Sequence, residues 1–532
     1  MIIDARAMPD GTVVEADICV VGAGAAGIVL ASELARRGIG VALIETGGLD
    51  FDAEAQALCE AEEHGARADF DFARLRQFGG STGHWGGNCA PFLPHELAER
   101  DWVPDSGWPI TAKDIAPYYR RAAEYCDVGS DVYDADAWAA LSSEFEGARL
   151  PLDAETLVHK VFLHGRPTRF GEAYRAAFED ERGGARVFLH AHAVEIETEA
   201  GGTLVSGIRT TDLRGREHRF RAGAYVLAAG PENARLMLLS DRHSPGGIGN
   251  RHDLVGRYFM GHLRVFTGAL TLAARPQVRL FYDSARWRSR VSGSDVPFYM
   301  GLQPSSAVQR RERILSCTAF LEAEVEGQHH PAFGTLRRMI RRLRQGQVPQ
   351  DFARDVAVVV GGIDRIGYVL YRRAGGAAAR ENLSVRLRWF CEQAPNPDSR
   401  LSLAGDLDPL GQPRLRMDWN FLEADKLTLI RTQELLAHEF GRLGIGRLRA
   451  DFTDPAQPWP GVNLQAHFMG GTRMHRDPRK GVVDADCRVH GTPNLYVAGG
   501  SVFPTSGSTM PTANIVALAI RLADHLALAS RR

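Results

Sequence analysis

The chain has 532 residues, 44% of them hydrophobic and 24% charged, with 63 Lys plus Arg against 65 Asp plus Glu. That length exceeds one simple core and predicts two lobes. A net charge of −2 offers no electrostatic footprint for a nucleic acid, and no run of about 18 apolar residues supplies a transmembrane segment.

In chain order, DICVV (17–21) is a short apolar run ending in glycine and predicts a buried parallel strand. Apolar spacing from Ala25 to Arg37 predicts a helix closed by Gly38, and VALIE (41–45) predicts a second buried strand, completing a βαβ unit. Residues 76–92, RQFGGSTGHWGGNCAPF, are glycine-dense and predict a loop that brings backbone close to a ligand. A helix is expected around DIAPYYRRAAEY. Residues 186–198 and 203–229 alternate as strands do, and AYVLAAGPENARLMLLS (224–240) repeats the order strand, glycine, helix. Residues 260–325 predict mostly strand, 333–373 helix, 383–420 strand again, and 421–443 an amphipathic helix. NLYVAGG (494–500) predicts a strand, then a Ser/Thr/Gly loop and a terminal helix from about Ala513 to Leu528.

Dinucleotide-type signals therefore sit at both ends and once near residue 230, with a β-rich segment between. The layout predicts an α/β chain: one discontinuous nucleotide lobe (1–100, 186–258 and 460–532) carrying an inserted lobe of β-sheet plus helices (101–185 and 259–459). Cys19, Cys59, Cys89, Cys126, Cys317, Cys391 and Cys487 are scattered and odd in number. They predict reduced thiols rather than a disulfide framework. The N-terminal stretch lacks the charge and apolar pattern of a leader, so a cytoplasmic location is expected.

Gly22-Ala23-Gly24-Ala25-Ala26-Gly27 is GxGxxG between strand and helix. The first glycine permits a tight turn, the second admits a pyrophosphate against the backbone, and the third lets helix pack on strand. The helix start offers N–H groups to phosphate, with Ala26 in its first turn. Glu45 ends the next strand, where an acid accepts ribose hydroxyls.

Three further segments carry a resemblance: GGSTGHWGGN (79–88), LAAGPENARLMLLS (227–240), and HFMGGTRM (467–474) followed by GVVDADCRVHGTPNLYVAGGSVFPTSGSTMPTANIVALAIRLADHL (481–526). Their order and spacing resemble the glucose–methanol–choline (GMC) oxidoreductases along nearly the whole chain, and the GHW pattern is closest to pyranose-oxidase-like sugar oxidases and dehydrogenases. EQAPNPDSR (392–400) is similar to the family's entry to its last substrate-lobe strands. The resemblance implies a Rossmann-like FAD lobe, a substrate lobe of p-hydroxybenzoate-hydroxylase type, and FAD rather than NAD. It places Gly80, Ser81, His84, Trp85, Gly87 and Asn88 along the flavin, Ala229 and Gly230 at its closing turn, and Gly500 and Ser501 at the ribityl or pyrimidine end. Met510, Pro511 and Thr512 fall at the flavin ring, and the Val194 backbone near adenine.

The implied reaction is oxidation of CH–OH to a carbonyl, with a sugar, glycoside or polyol as substrate and oxygen or another acceptor taking the electrons. His467 matches the family's base, and a neutral imidazole suits removal of a hydroxyl proton. His84 stands where some relatives bond covalently to the flavin; Gly83 replaces their Thr, and a covalent link and a non-covalent neighbour both stand. The second catalytic position departs from the family: Met510 occupies the place of Asn or His, and a thioether is no base. Asn514, four residues on, is the candidate to compensate, against a helix-start or packing role for the same residue, with Ser508 and Thr509 as other nearby polar groups. The Met510 departure also admits lyase or decarboxylase chemistry on the same scaffold. The Arg-rich stretch 337–344 is read as a solvated helix face, with contact to an anionic membrane or a partner as the other reading, and the His329-His330 pair, with no ligand spacing around it, predicts no metal.

Overall fold

The structure is a computed structural model. It describes residues 1–66, 70–140, 149–165, 168–180, 184–273, 282, 296–323, 331–344, 352–364, 366–367, 370, 385–460, 463–464 and 466–530. The His329-His330 pair lies outside the described residues.

The first sheet has eight strands. Its order is Ile2–Asp4, Ala185–Leu189, Val41–Ile44, Val13–Val21, Glu217–Leu227, Val205–Thr211 and His192–Thr198, with Leu495–Val497 also paired to Glu217–Leu227. Val13–Val21 and its neighbours Val41–Ile44 and Glu217–Leu227 run parallel. Such central strands are covered on both faces, which is why Ile18, Val20, Leu43 and Leu227 form near-continuous apolar runs, all buried. Helix Ala25–Ala35 buries Ile28, Val29, Leu30 and Leu34, each contributing roughly 1.5–3 kcal/mol of burial. Gly38 follows it with φ +77°, the left-handed closure expected of a C-terminal glycine.

The terminal helix, Pro511–Ala529, packs against Ala25–Ala35 and against Ala112–Cys126. Glu33, buried, joins the three: it takes Arg37 and Arg121 as ion-pair partners and the Tyr125 hydroxyl at 2.9 Å, while Asp524 takes Arg37 and Arg121 from the other side. Pro511–Ala529 is by length and composition apolar enough to cross a bilayer, but most of it is buried in this packing.

The second sheet runs Gly446–Arg449, Leu263–Leu272, Val385–Cys391, Cys317–Ala323, Phe298–Pro304, Leu157–His164 and Asn88–Cys89, with Asn463–Leu464 also on Leu263–Leu272. A third, of three strands, places Ala61–Gly65 beside Pro413–Trp419 and Arg400–Leu407.

Two segments of the expected inserted lobe make contacts with residues outside 101–185 and 259–459. Ala112–Cys126 lies on the terminal helix, because its apolar stripe of Ile115, Ala122 and Cys126 needs that cover. Residues 400–419 sit on helix Glu232–Leu239, tied by Arg235 to Asp408 at 2.6 Å and to the Pro413 carbonyl at 2.9 Å.

Candidate active site

The glycine turns converge at the carboxyl ends of parallel strands. Leu227 is in register with Val21 on one side and Val497 on the other, so Gly22–Gly24, Ala229–Gly230 and Gly499–Ser501 emerge side by side. This is the crevice in which open α/β sheets bind ligands. A Cβ on Gly22 would stand 2.8 Å from the Ala228 oxygen, and one on Gly27 would stand 1.9 Å from the Gly22 oxygen; both glycines are required by close backbone approach. A Cβ on Gly24 meets no atom within 4 Å, so the middle glycine faces open room. Gly24 also begins helix Ala25–Ala35 with no side-chain cap, leaving the first-turn N–H groups, Ala26 among them, for another acceptor. Open room in front of an uncapped helix start fits a dinucleotide pyrophosphate.

The surrounding residues brace this crevice. Glu45 is buried, and its carboxylate accepts from Ala23 N at 2.8 Å and Gly47 N at 3.0 Å. Burial lifts its pKa to about 6, while those backbone donors pull it down. Each oxygen keeps a second lone pair for a ribose hydroxyl. Gly79 N donates to the Ala23 oxygen at 2.8 Å, so the glycine loop is pinned to the dinucleotide turn. Ser81 Oγ donates to the Ala73 oxygen. His84 lies with Nε2 3.3 Å from the same oxygen, its ring stacked on Phe72. Trp85 Nε1 donates to the Thr168 oxygen at 2.8 Å, Gly87 accepts from Gly165 N, and Asn88 Oδ1 meets His164 Nδ1 at 2.8 Å. Asn233, which sequence reasoning missed, ties two of the motifs: Ala229 N donates to its Oδ1 at 2.8 Å and its Nδ2 donates to Ser501 Oγ at 3.0 Å. The Val194 carbonyl accepts from Gln412 Nε2 at 2.9 Å.

Local register brings His467 to a second histidine. Met260 and Met469 form an antiparallel bridge, their N–H groups donating at 2.8 and 2.9 Å. Two residues further along one strand and two back along the other stand His262 and His467, whose Nδ1 atoms are 3.1 Å apart. His262 is fully buried, with Nε2 3.1 Å from the Ser506 oxygen and 2.9 Å from the Gly507 oxygen. Carbonyl oxygens only accept, so that nitrogen carries the proton and donates. Burial pushes the His262 pKa down to about 4, so its ring is neutral and Nδ1 is a lone pair. His467 Nδ1–H then donates to it, and the His467 lone pair stands on Nε2. That atom makes no hydrogen bond among the described residues. Burial first, then His262 and Arg264, hold the His467 pKa well below the usual histidine value. Only a lone His at a strand start marked His262 in the sequence, and that is a weak signal.

The second catalytic position has no polar group. Met510 packs with Ala90, Phe162, Tyr299, Phe320 and Phe390 in an aromatic cluster, and the Phe390 ring lies 4.4 Å from His262 and 5.9 Å from His467. Asn514, expected to compensate, does not: its Oδ1 accepts from Phe92 N and the Tyr119 hydroxyl, and its Nδ2 donates to the Ala90 and Met510 oxygens. Its amide is spent and fully buried, so its role is to hold the helix start to the 90–92 segment. Ser508 and Thr509 are likewise buried and bonded, to Thr318 and Gln303 and to Ala90 respectively. Pro511 opens the helix, where its missing N–H costs nothing, and Thr512 stays partly exposed beside it. A cleft of about 950 Å³ is lined by residues of 94–113 and by Arg473, His475, Arg476 and Lys480, and contains neither His467 nor Gly24.

A parallel-strand crevice with open room at an uncapped helix start thus stands beside the paired imidazoles of His262 and His467. The C-terminal region, residues 395–519, matches the GMC oxidoreductase family model, and residues 15–53 match an FAD-binding domain. The chain is an FAD-dependent oxidoreductase with a GMC-type C-terminal region. It is 27% identical to 6'''-hydroxyparomomycin C oxidase of Streptomyces lividus, over 96% of this chain and 92% of that protein. It is 23% identical to the fructose dehydrogenase large subunit of Gluconobacter japonicus, over 96% and 97%. Formate oxidase of Aspergillus oryzae RIB40 superposes with a TM-score of 0.54 at 15% identity, covering 97% of this chain and 98% of that one, a likeness of fold.

Proposed function

We propose that the enzyme oxidises a CH–OH group of a sugar, glycoside or other polyol to a carbonyl, with His467 as the base. The observation that carries this reading is the hydrogen-bond chain from the Ser506 and Gly507 carbonyls through His262 to His467, which leaves the His467 Nε2 lone pair uncommitted. FAD, when bound, supplies the two-electron acceptor for the hydride of the carbinol carbon. His467 Nε2 takes the hydroxyl proton, His262 keeps its ring oriented, and Met510 with Phe390 and Phe320 keeps water from the far side. Relatives that act on aminoglycosides and on fructose support a polyhydroxylated substrate.

A non-oxidative lyase or decarboxylase reading draws only on Met510, and the same experiment separates it. Under anaerobic conditions the flavin absorbance of the purified protein should bleach with members of a sugar and polyol panel. A flavin that no alcohol reduces overturns the proposal. In His467→Ala the flavin should remain while its rate of reduction falls by about a hundredfold to ten-thousandfold; reduction at the wild-type rate removes His467 as base.

Engagement of His84 Nε2 at the Ala73 oxygen supports a non-covalent neighbour of the flavin. Acid precipitation should then leave the flavin in the supernatant, and a yellow pellet reverses that reading.

A further inference from the structure

Ala323 and Val385 face each other across the antiparallel pair Cys317–Ala323 and Val385–Cys391. Two paired strands can be joined by a turn of two residues, yet here the chain leaves the sheet at 323 and returns at 385. Within that excursion, helices Pro331–Arg344 and Phe352–Gly361 pack on each other around a small separate core of Ala332, Phe333 and Ile366. The sheet does not need this helix pair, and the pair completes only part of its own burial.

The apolar stripe of the first helix runs out uncovered. Phe333 is buried and Leu336 half-buried, but the residues seven further on, Ile340 and Leu343, are 42% and 52% exposed; a spacing of seven keeps them on the same face. Phe352 and Val360 in the second helix, and Ile363 just past its end, are exposed. With Leu370 these make six of the thirteen large hydrophobic residues exposed among the described residues. Charge accompanies them. Residues 331–373 hold nine Arg, no Lys, three Asp and no Glu, in a chain whose net charge is −2. Arg337, Arg338 and Arg354 are exposed.

We propose that this helix pair docks the enzyme on an anionic lipid surface. A helix with an apolar stripe and an arginine-rich flank lies in the plane of a bilayer interface, its apolar side chains among the acyl chains and its cations at the headgroups. Both helices are too short to span, so the contact is peripheral. A second copy of the chain is disfavoured as occupant, because a symmetric contact sets nine Arg against nine Arg. A lipid surface accepts two aliphatic stripes without the shaped pocket that a protein partner requires.

The test is co-sedimentation of the full-length holoenzyme with vesicles of phosphatidylcholine alone and of phosphatidylcholine with phosphatidylglycerol. Binding should be at least roughly tenfold tighter to the anionic vesicles and fall steeply toward about 1 M salt, where the Debye length is about 3 Å. Arg337→Glu with Arg354→Glu should abolish the preference for anionic vesicles. Val360→Ser with Ile363→Ser should weaken binding at every salt concentration. Both variants should keep wild-type circular dichroism and basal turnover, since neither pair touches the crevice or His467. No binding to anionic vesicles, or binding that both variants leave unchanged, overturns the proposal. So does a dimer in sedimentation velocity that Val360→Ser with Ile363→Ser dissociates.

Discussion

At the scale of single residues, the chemistry rests on which nitrogen of each histidine holds a proton. The two backbone carbonyls at His262 decide this for both rings. His262→Leu removes the acceptor for His467 Nδ1–H and frees the other tautomer. We expect turnover to fall by about tenfold to a hundredfold, the scale seen when the partner of a functional imidazole is deleted. KM should change little and flavin should be retained; His262→Gln, which can still accept a hydrogen bond, should recover part of the loss. Equal turnover in wild type and His262→Leu would remove the positioning role. A base works when deprotonated, and His467 is held well below the ordinary histidine value. The acid limb of kcat/KM should therefore fall below pH 6.5 rather than at it. Met510 makes the opposite point. Met510→Asn restores the family's residue type but buries an amide among Phe162, Tyr299, Phe320 and Phe390. It should cost about 1–3 kcal/mol of stability with no gain in turnover, as read by urea denaturation and steady-state rates.

At the scale of elements, the turn from Val13–Val21 into Ala25–Ala35 separates folding from binding. Gly27 is needed for helix to meet strand, since any Cβ there collides with the Gly22 oxygen. Gly24 is not needed for packing, because a Cβ there meets nothing. Gly24→Ala should therefore fold with wild-type thermal stability in the flavin-free form yet bind FAD more than about tenfold more weakly, a loss of about 1.4 kcal/mol or more. Gly27→Ala should destabilise the flavin-free protein itself. Flavin titration and calorimetry on the two variants distinguish these outcomes, and equal flavin affinity in Gly24→Ala and wild type would contradict a pyrophosphate seat at this turn.

For the whole molecule, buried neutral imidazoles set the response to acid. Burial lowers His262 to about 4 and His192 to about 3, against about 6.5 in an unfolded chain. Between these values the unfolded state binds protons that the folded state refuses, so stability falls as pH drops from about 6.5 toward 4. Each ring contributes about 1.4 kcal/mol per pH unit in that window. A second loss follows at lower pH. Glu96, buried against Lys160, and Glu232, buried against Arg76 and Arg74, are held at about 2 by these cations despite burial. Their contribution disappears as pH falls from the ordinary carboxylate range toward that value. Urea midpoints should fall between about pH 6.5 and 4, and more shallowly in His192→Leu; a flat profile there would contradict the buried neutral rings.

The βαβ start, the glycine loop, the closing turn near residue 230 and the terminal helix were legible because each is local: spacing, glycine positions and apolar period lie within a few dozen residues. FAD and the GMC likeness followed from their order along the chain. The sequence by itself also singled out His467. It could not show that His262, 205 residues away, stands opposite, because antiparallel register through Met260 and Met469 is set by tertiary pairing. Nor could it show that the Asn514 amide is consumed by the 90–92 segment and Tyr119, that helix Ala112–Cys126 packs on the terminal helix, or that the arginine-rich stretch carries an uncovered apolar stripe. Each of these depends on which distant surface supplies a partner, and periodicity reports only that a face needs covering, not by what.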